Sequence, residues 1–340
     1  MERGLVSVVM GVHNEKKEHL KSAFESLFRQ SYQNVELIVI DDASNESCKL
    51  VLKELCDNRP NVKIVHNDIN QGLTKSLNIG LQLAKGEFIA RMDADDIATP
   101  DRLEKQVDFL NIHQDIAIVG TGVVSFGNEH IFMSPAFGLS DQEAKCLLFF
   151  SSTLCHPSVM IRKCFLEKNN LSYDENVLKA QDYDLWERAS IYGKLAVLSD
   201  VLLYYRVHAA QITSQKRDEQ NKAADIIRKR RLARLGIIPT DREYRYHKLL
   251  SCGVDTSVTT KEMESWVKKI LKGNEEKHLV ESQHLRNNLE IRLLLFKLRN
   301  KKMIRWNDFP KLVTIIISRI RIKVKLIAQN KRFLKEIGNE

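Results

Sequence analysis

No two of the six cysteines (Cys48, Cys56, Cys146, Cys155, Cys164 and Cys252) form a C-x-x-C pair. A zinc ribbon and a dithiol redox motif are therefore unsupported, and the thiols read as reduced, mostly core residues of a cytosolic chain. No window approaches the roughly 18 consecutive apolar residues of a membrane-spanning helix. No secretory signal is expected, because the strand-like run Leu5-Val6-Ser7-Val8-Val9 starts almost at once and no small-residue cleavage site follows it. A Gly-rich dinucleotide fingerprint and a Walker loop are both missing, which removes the usual support for a Rossmann dehydrogenase or a P-loop enzyme. Internal repeats and low-complexity linkers are missing too.

What remains is a chain of 340 residues, 43% apolar and 29% charged, with a net charge of +9. That charge is unevenly placed. Residues 1–213 carry 22 basic and 29 acidic side chains, and residues 214–340 carry 31 and 15. The acidic part suits a metal site, and the basic part suits an anionic partner. Composition thus predicts a catalytic domain over 1–213 and a basic, mainly helical region over 214–340.

The first hundred residues alternate buried-strand runs with amphipathic stretches. Strands are predicted at 6–12, 35–40, 62–65 and 88–92. Helices are predicted at 18–30, 46–56, 73–84 and 101–113, with Ser44 as an N-cap and Gly86 as a C-cap. Repeated units of this length imply a mostly parallel sheet with right-handed crossovers, flanked by helices. Residues 115–212 are mixed. Helices are again predicted at 222–235, 261–272, 276–302 and 310–335.

Ligands bind at the carboxyl ends of strands in open α/β sheets. The polar residues collect there: His13-Asn14-Glu15, Asp41-Asp42, Asn67-Asp68 with Asn70-Gln71-Gly72, and Asp93-Ala94-Asp95-Asp96. Carboxylates two apart at a strand end can share a hard cation, and Mg²⁺ or Mn²⁺ bridges such groups to substrate phosphates. A solvated acidic turn leading into the next helix is the plain alternative.

Taken in order, these motifs resemble family 2 of the glycosyltransferases, which have the GT-A fold. The matching residues are Val8-Val9-Met10-Gly11-Val12-His13-Asn14-Glu15, Ile38-Val39-Ile40-Asp41-Asp42-Ala43-Ser44, Asn70-Gln71-Gly72-Leu73 with Asn78, and Ala90-Arg91-Met92-Asp93-Ala94-Asp95-Asp96. His156-Pro157-Ser158-Val159, Gln181-Asp182-Tyr183-Asp184-Leu185-Trp186 and Tyr205-Arg206-Val207-His208 follow. There is also a general resemblance to bacterial surface-polysaccharide enzymes.

The resemblance implies an inverting transfer of a hexosyl or N-acetylhexosaminyl group from a nucleotide-diphosphate sugar, a UDP-sugar first, to a hydroxyl of a carbohydrate or lipid-linked acceptor. It implies that Val12, Glu15 and Asp42 hold the nucleoside, with Asp42 facing the base, and that Lys75 approaches the nucleotide. Asp93 and Asp95 match the D-x-D motif that binds ribose, metal and diphosphate. Asp182 matches the catalytic base, and His208 a histidine that completes the metal site. The implied cofactor is Mn²⁺ or Mg²⁺.

Gly11 and His13 stand where the family usually has Pro and Tyr, and Gln181 precedes Asp182 where Glu is usual. Judged by itself, Asp182 also reads as the N-cap of a helix through Tyr192. His156 reads as an acceptor-site or a packing residue, and Trp186 as core.

Two other functions fit parts of this pattern. Sugar-nucleotide pyrophosphorylases open with a Gly-rich, Arg-containing loop after the first strand, where this chain has Val12-His13-Asn14-Glu15-Lys16. A non-catalytic carbohydrate-binding or scaffold protein would not need Asp93, Asp95 and Asp182 intact. The basic region places its charges on amphipathic stretches with few aromatics, which suits an anionic membrane surface better than nucleic acid. The expected location is cytoplasmic, peripheral on the inner face of the membrane. A helical cap on the catalytic domain is the alternative for that region.

Overall fold

The computed structural model describes residues 1–127, 137–207 and 217–302, with the single positions 313, 324 and 328. The chain divides into two compact units, Met1–Ser140 with Leu154–Ala223, and Asp141–Thr153 with Ala224–Glu340. The junction expected at 213/214 and the segment 310–335 lie outside the described residues, save the three single positions.

The first unit opens with β1 (Glu2–Val12), α1 (Lys17–Phe28), β2 (Val35–Asp41), α2 (Glu46–Cys56), β3 (Val62–His66), α3 (Leu73–Leu83) and β4 (Gly86–Arg91). It continues through β5 (Ile97–Ala98), α4 (Arg102–Ile112) and β6 (Ile116–Phe126). After a short 3₁₀ turn at His156–Ser158 come β7 (Met160–Arg162), α6 (Lys163–Lys168), α7 (Gln181–Ala189) and β8 (Lys194–Arg206). The eight strands form one sheet in the order β3-β2-β1-β4-β7-β6-β8-β5. β3, β2, β1 and β4 are parallel, as are β6 and β8, while β7 and β5 run antiparallel to their neighbours. The mostly parallel sheet flanked by helices is the GT-A type of architecture.

The β-branched runs are strands because both faces of the sheet are covered. Val6, Val8, Val9 and Met10 are all buried, and so are Leu37, Ile38, Val39 and Ile40. α1 turns Leu20, Ala23, Phe24 and Leu27 inward, at helical spacing. α3 lies close against β1 at Gly80, where an added Cβ would meet Val9 Cγ1 at 2.3 Å. Register then aligns the strand ends that carry polar residues. Val12 pairs with Asp41, Asp41 with His66, and Val9 with Arg91.

Two capping expectations are corrected. Asn45, not Ser44, caps α2, its Oδ1 accepting the Cys48 N–H at 2.9 Å. Ser44 Oγ instead accepts the Asn14 N–H at 3.0 Å, tying the end of β1 to the loop after β2. Gly86 does not cap α3; it opens β4, where a Cβ would meet the Leu5 carbonyl oxygen at 2.5 Å. Close backbone approach inside the sheet, not helix termination, requires that glycine.

The second unit contains α5 (Asp141–Leu147), the part of α8 (Arg217–Ala233) from Ala224 on, α9 (Asp241–Ser251), α10 (Thr260–Lys277) and α11 (Ser282–Arg299). The helices expected over 261–272 and 276–302 are both present, with the break later than expected: α10 runs to Lys277, its C-cap His278 is left-handed (φ 50°), and α11 starts at Ser282. Its core gathers Phe149, Phe150, Trp266, Ile270, Leu285 and Leu289. Among the described residues, no helix is long and apolar enough to cross a membrane.

His247 sits inside this core, stacked on Phe150 with ring centroids 4.8 Å apart. Its Nε2 donates to the Phe149 carbonyl at 2.7 Å, while Nδ1 is buried without a partner among the described residues. Burial lowers its pKa to about 4, the Phe149 carbonyl opposing and Arg228 and Arg292 assisting. The unfolded chain binds this proton near pH 6.5, so the stabilising effect of a neutral His247 is complete above that pH. It is lost as the pH falls towards 4, to the extent of about 3 kcal/mol. Denaturant midpoints at pH 7 and pH 4.5 should therefore differ more for the wild type than for His247→Gln.

Candidate active site

The nucleoside end of the site begins where β1 and β2 stop. The Val12 carbonyl accepts the Asp42 N–H at 2.8 Å. His13 Nδ1 donates to the Asp42 carbonyl at 2.7 Å, which fixes the tautomer and leaves Nε2 to accept from Asn14 Nδ2 at 3.1 Å. Asn14 Oδ1 accepts the Asn45 N–H at 2.8 Å. Asn14 and Ala43 both hold positive φ, 52° and 56°, so the two loops interlock in conformations that side chains rarely adopt.

Asp42 is buried, and its carboxylate is engaged by the chain. Oδ1 accepts from Asn67 Nδ2 and the Gln71 N–H, each at 2.8 Å, and Oδ2 accepts the Gly72 N–H at 2.7 Å. Asp42 thus builds the 67–72 loop beside the strand ends. Its neighbour Asp41 is raised by burial, but hydrogen bonds from Ser44 and His66 hold it below its ordinary value. Glu15 Oε1 accepts the Lys16 N–H at 2.9 Å and bonds His19 Nδ1 at 2.7 Å. Lys75 Nζ lies 3.9 Å from Glu175 Oε2, both half-exposed.

The acidic turn follows β4. Asp93, Asp95 and Asp96 each present a carboxylate oxygen within 4.8 Å of the others. Asp96 is fully buried. Its Oδ1 accepts the Arg206 N–H at 2.9 Å, and its Oδ2 has no partner among the described residues. Burial first, then Asp93 and Asp95, push Asp96 well above its ordinary value. An orphaned buried carboxylate oxygen beside two further carboxylates is a donor set that fits a hard divalent cation. β8 delivers the opposing arginine. It pairs with β5 at Tyr204–Ile97, and two residues later Arg206 Nε reaches the Asp95 carbonyl at 2.8 Å.

Buried cations balance the turn. Arg91 pairs through Nη2 with Asp93 Oδ1, and its backbone carbonyl is held by Arg102 Nη2 at 2.7 Å. Arg91 Nε and Nη1 are buried with no partner among the described residues. Asp182 stands in the first turn of α7. The N-cap of that helix is Ala180, with no side-chain cap bond, so Asp182 does not serve as the cap. Trp186, on the same helix, is fully buried. His208 lies outside the described residues.

The motifs at the ends of β1, β2, β3 and β4 therefore meet along one sheet edge. Asp96, Arg91, Arg206 and Tyr173 had no assigned role. Asp96 was visible as the last member of the Asp-Ala-Asp-Asp run, whereas the others acquire partners only through the fold.

A GT-A type sheet with an acidic turn at the end of its fourth strand fits a glycosyltransferase. Comparison narrows it. Residues 7–169 match the family described as glycosyl transferase family 2. An uncharacterised glycosyltransferase of Methanocaldococcus jannaschii, MJ1057, is 34% identical over 213 residues, covering 61% of this chain and 72% of that one. The amylovoran biosynthesis glycosyltransferase AmsE of Erwinia amylovora is 32% identical over 218 residues, covering 62% and 80%. In fold, residues 1–349 of S. aureus TarS in complex with UDP-GlcNAc align with a TM-score of 0.58 at 17% identity, covering 88% and 93%. The chain belongs to glycosyl transferase family 2, and glycosyl transfer is its activity.

Proposed function

We propose that this chain is a metal-dependent, inverting glycosyltransferase. It takes a hexosyl or N-acetylhexosaminyl group from a UDP-sugar and attaches it to a hydroxyl of a carbohydrate or lipid-linked acceptor in surface-polysaccharide synthesis. The observation that carries this reading is the Asp93, Asp95 and Asp96 cluster at the end of β4, on the same sheet edge as the loop that Asp42 organises. The UDP-GlcNAc complex of TarS supports the donor class, and the amylovoran relative supports the pathway class.

Asp93, Asp95 and Asp96, with His208, would hold Mn²⁺ or Mg²⁺, which supplies neutralisation of the diphosphate leaving group when bound. Val12, Glu15, Asp42 and Lys75 frame the nucleotide. Asp182 takes the proton of the acceptor hydroxyl as its oxygen attacks the anomeric carbon. The bond from that carbon to the diphosphate oxygen breaks on the opposite side, and its electron pair leaves with UDP. One displacement inverts the anomeric centre, with no covalent intermediate.

Calorimetry tests the donor assignment. UDP should bind more tightly than GDP or CDP in the presence of Mn²⁺, and EDTA should weaken all three while the order is kept. Equal affinity for all three would refute the uridine reading.

The domain assignment, catalysis over 1–213 and a separate role for 214–340, belongs to the same proposal. Its localisation is cytoplasmic, peripheral on the inner face of the membrane. The excess of 31 basic over 15 acidic residues after 213 supports this, since each basic residue near an anionic leaflet contributes about 1 kcal/mol. The full chain should co-sediment with phosphatidylglycerol-containing liposomes at low salt and detach at high salt. Binding indifferent to anionic lipid would leave the basic region as a helical cap.

A further inference from the structure

Tyr173 is held from both sides. Its N–H donates to Asn78 Oδ1 at 3.0 Å, and Asn78 Nδ2 donates back to its carbonyl at 2.9 Å. The preceding carbonyl, of Ser172, accepts from Arg188 Nη2 at 2.6 Å. Arg188 is itself fixed on α7, its Nε donating to Asp184 Oδ2 at 2.8 Å. Successive backbone groups of one loop are thus stitched to α3 on one side and α7 on the other.

The clamp drives the phenol ring inward, leaving Tyr173 3% exposed. Its hydroxyl lies 2.8 Å from His156 Nε2. The His156 ring in turn packs edge-on against Trp186, with centroids 6.1 Å apart and planes at 74°. Trp186 is four residues beyond Asp182 on α7, so the two share a helix face. A continuous chain of contacts therefore runs from α3 through Tyr173 and His156 to the face of α7 that carries Asp182.

Charge keeps the link neutral. Burial and then Arg91 hold His156 well below its ordinary value, so the ring is uncharged. Burial raises the Tyr173 hydroxyl, with Arg91 opposing and Asp182 and Asp93 adding. Tyr173 thus lies within electrostatic reach of both the acidic turn and Asp182. The hydrogen bond is therefore one between two neutral groups.

We propose that Tyr173 and His156 are a positioning pair, which fixes the Asp182 face of α7 relative to the acidic turn and so aims the carboxylate that receives the acceptor proton. This rests on the reading of Asp182 as the base. Displacing a reacting group by about 1 Å can lower a rate about 10²-fold without touching donor affinity.

The test measures UDP release from UDP-GlcNAc, UDP-glucose and UDP-galactose with Mn²⁺ and water as acceptor, alongside UDP affinity and melting temperature. Tyr173→Phe and His156→Leu should each lower turnover about tenfold or more at unchanged UDP affinity, and the double variant should be no worse than the poorer single. His156→Gln retains an amide able to bond the hydroxyl, and should stay within about threefold of the wild type. The proposal is overturned if UDP affinity falls in step with turnover, if Tyr173→Phe behaves as wild type, or if Gln is as poor as Leu at position 156. Asp182→Asn in the same assay separates the two readings. Undiminished turnover there removes the base assignment, whereas an inactive Asp182→Asn beside a fully active Tyr173→Phe removes the pair alone.

Discussion

Asp182→Asn is expected to lower turnover by about 10²–10⁴-fold, the usual worth of a positioned general base, while UDP affinity stays at its wild-type value. The substitution preserves size and shape and replaces the carboxylate with a neutral amide that cannot take a proton. α7 should persist, because its cap and its Asp184–Arg188 tie do not involve Asp182. Its N-cap is Ala180, and the Asp184–Arg188 pair stays in place, with Arg188 Nη2 still on the Ser172 carbonyl. Single-turnover kinetics with a saturating UDP-sugar would separate the chemical step from binding. A variant whose chemical step matches the wild type would mean that another group takes the proton.

Asp95→Ala should abolish metal-dependent binding of UDP and leave the fold intact. The three carboxylates differ in their surroundings. Asp93 is paired with Arg91, and Asp96 is fully buried with one oxygen on the Arg206 N–H. Asp95 is anchored through its backbone carbonyl to Arg206 Nε at 2.8 Å, a bond that alanine keeps. The turn should therefore survive while its donor set shrinks. The loss of UDP affinity in Mn²⁺ should exceed about 100-fold, beyond the 10–100-fold typical of groups one step behind a metal. Affinity in EDTA should not change. Equal losses with and without Mn²⁺ would assign Asp95 to the nucleotide rather than to the cation.

The strands of the first unit were legible because burial on both faces leaves an unbroken apolar signal. Val35–Asp41 illustrates this, ending on the carboxylates that mark the sheet edge. The acidic turn was legible because its members are neighbours in sequence. Local competition misled two smaller expectations. Ser44 and Asn45 are both good helix caps, and the choice between them depended on Asn14, 30 residues earlier, claiming the serine hydroxyl. Gly86 looked like a helix stop because the strand backbone that it accommodates, at Leu5, is distant in sequence.

The supporting layer of the site was illegible for the same reason on a larger scale. Tyr173 meets Asn78 across 95 positions, and Arg206 meets Asp96 across 110. Neither residue carries a local pattern that foretells its partner. The segment Asp141–Thr153 offered no sign that it belongs with Ala224–Glu340, since a run such as Leu147-Leu148-Phe149-Phe150 suits any core.

The measurement that bears most directly on the account is UDP release from a panel of UDP-sugars by the full chain, with Mn²⁺ and with EDTA. One UDP-sugar should be turned over in Mn²⁺, EDTA should stop the reaction, and Asp95→Ala and Asp182→Asn should both be inactive, only the former with impaired UDP binding. Turnover that persists in EDTA, or that survives both substitutions, would contradict the account.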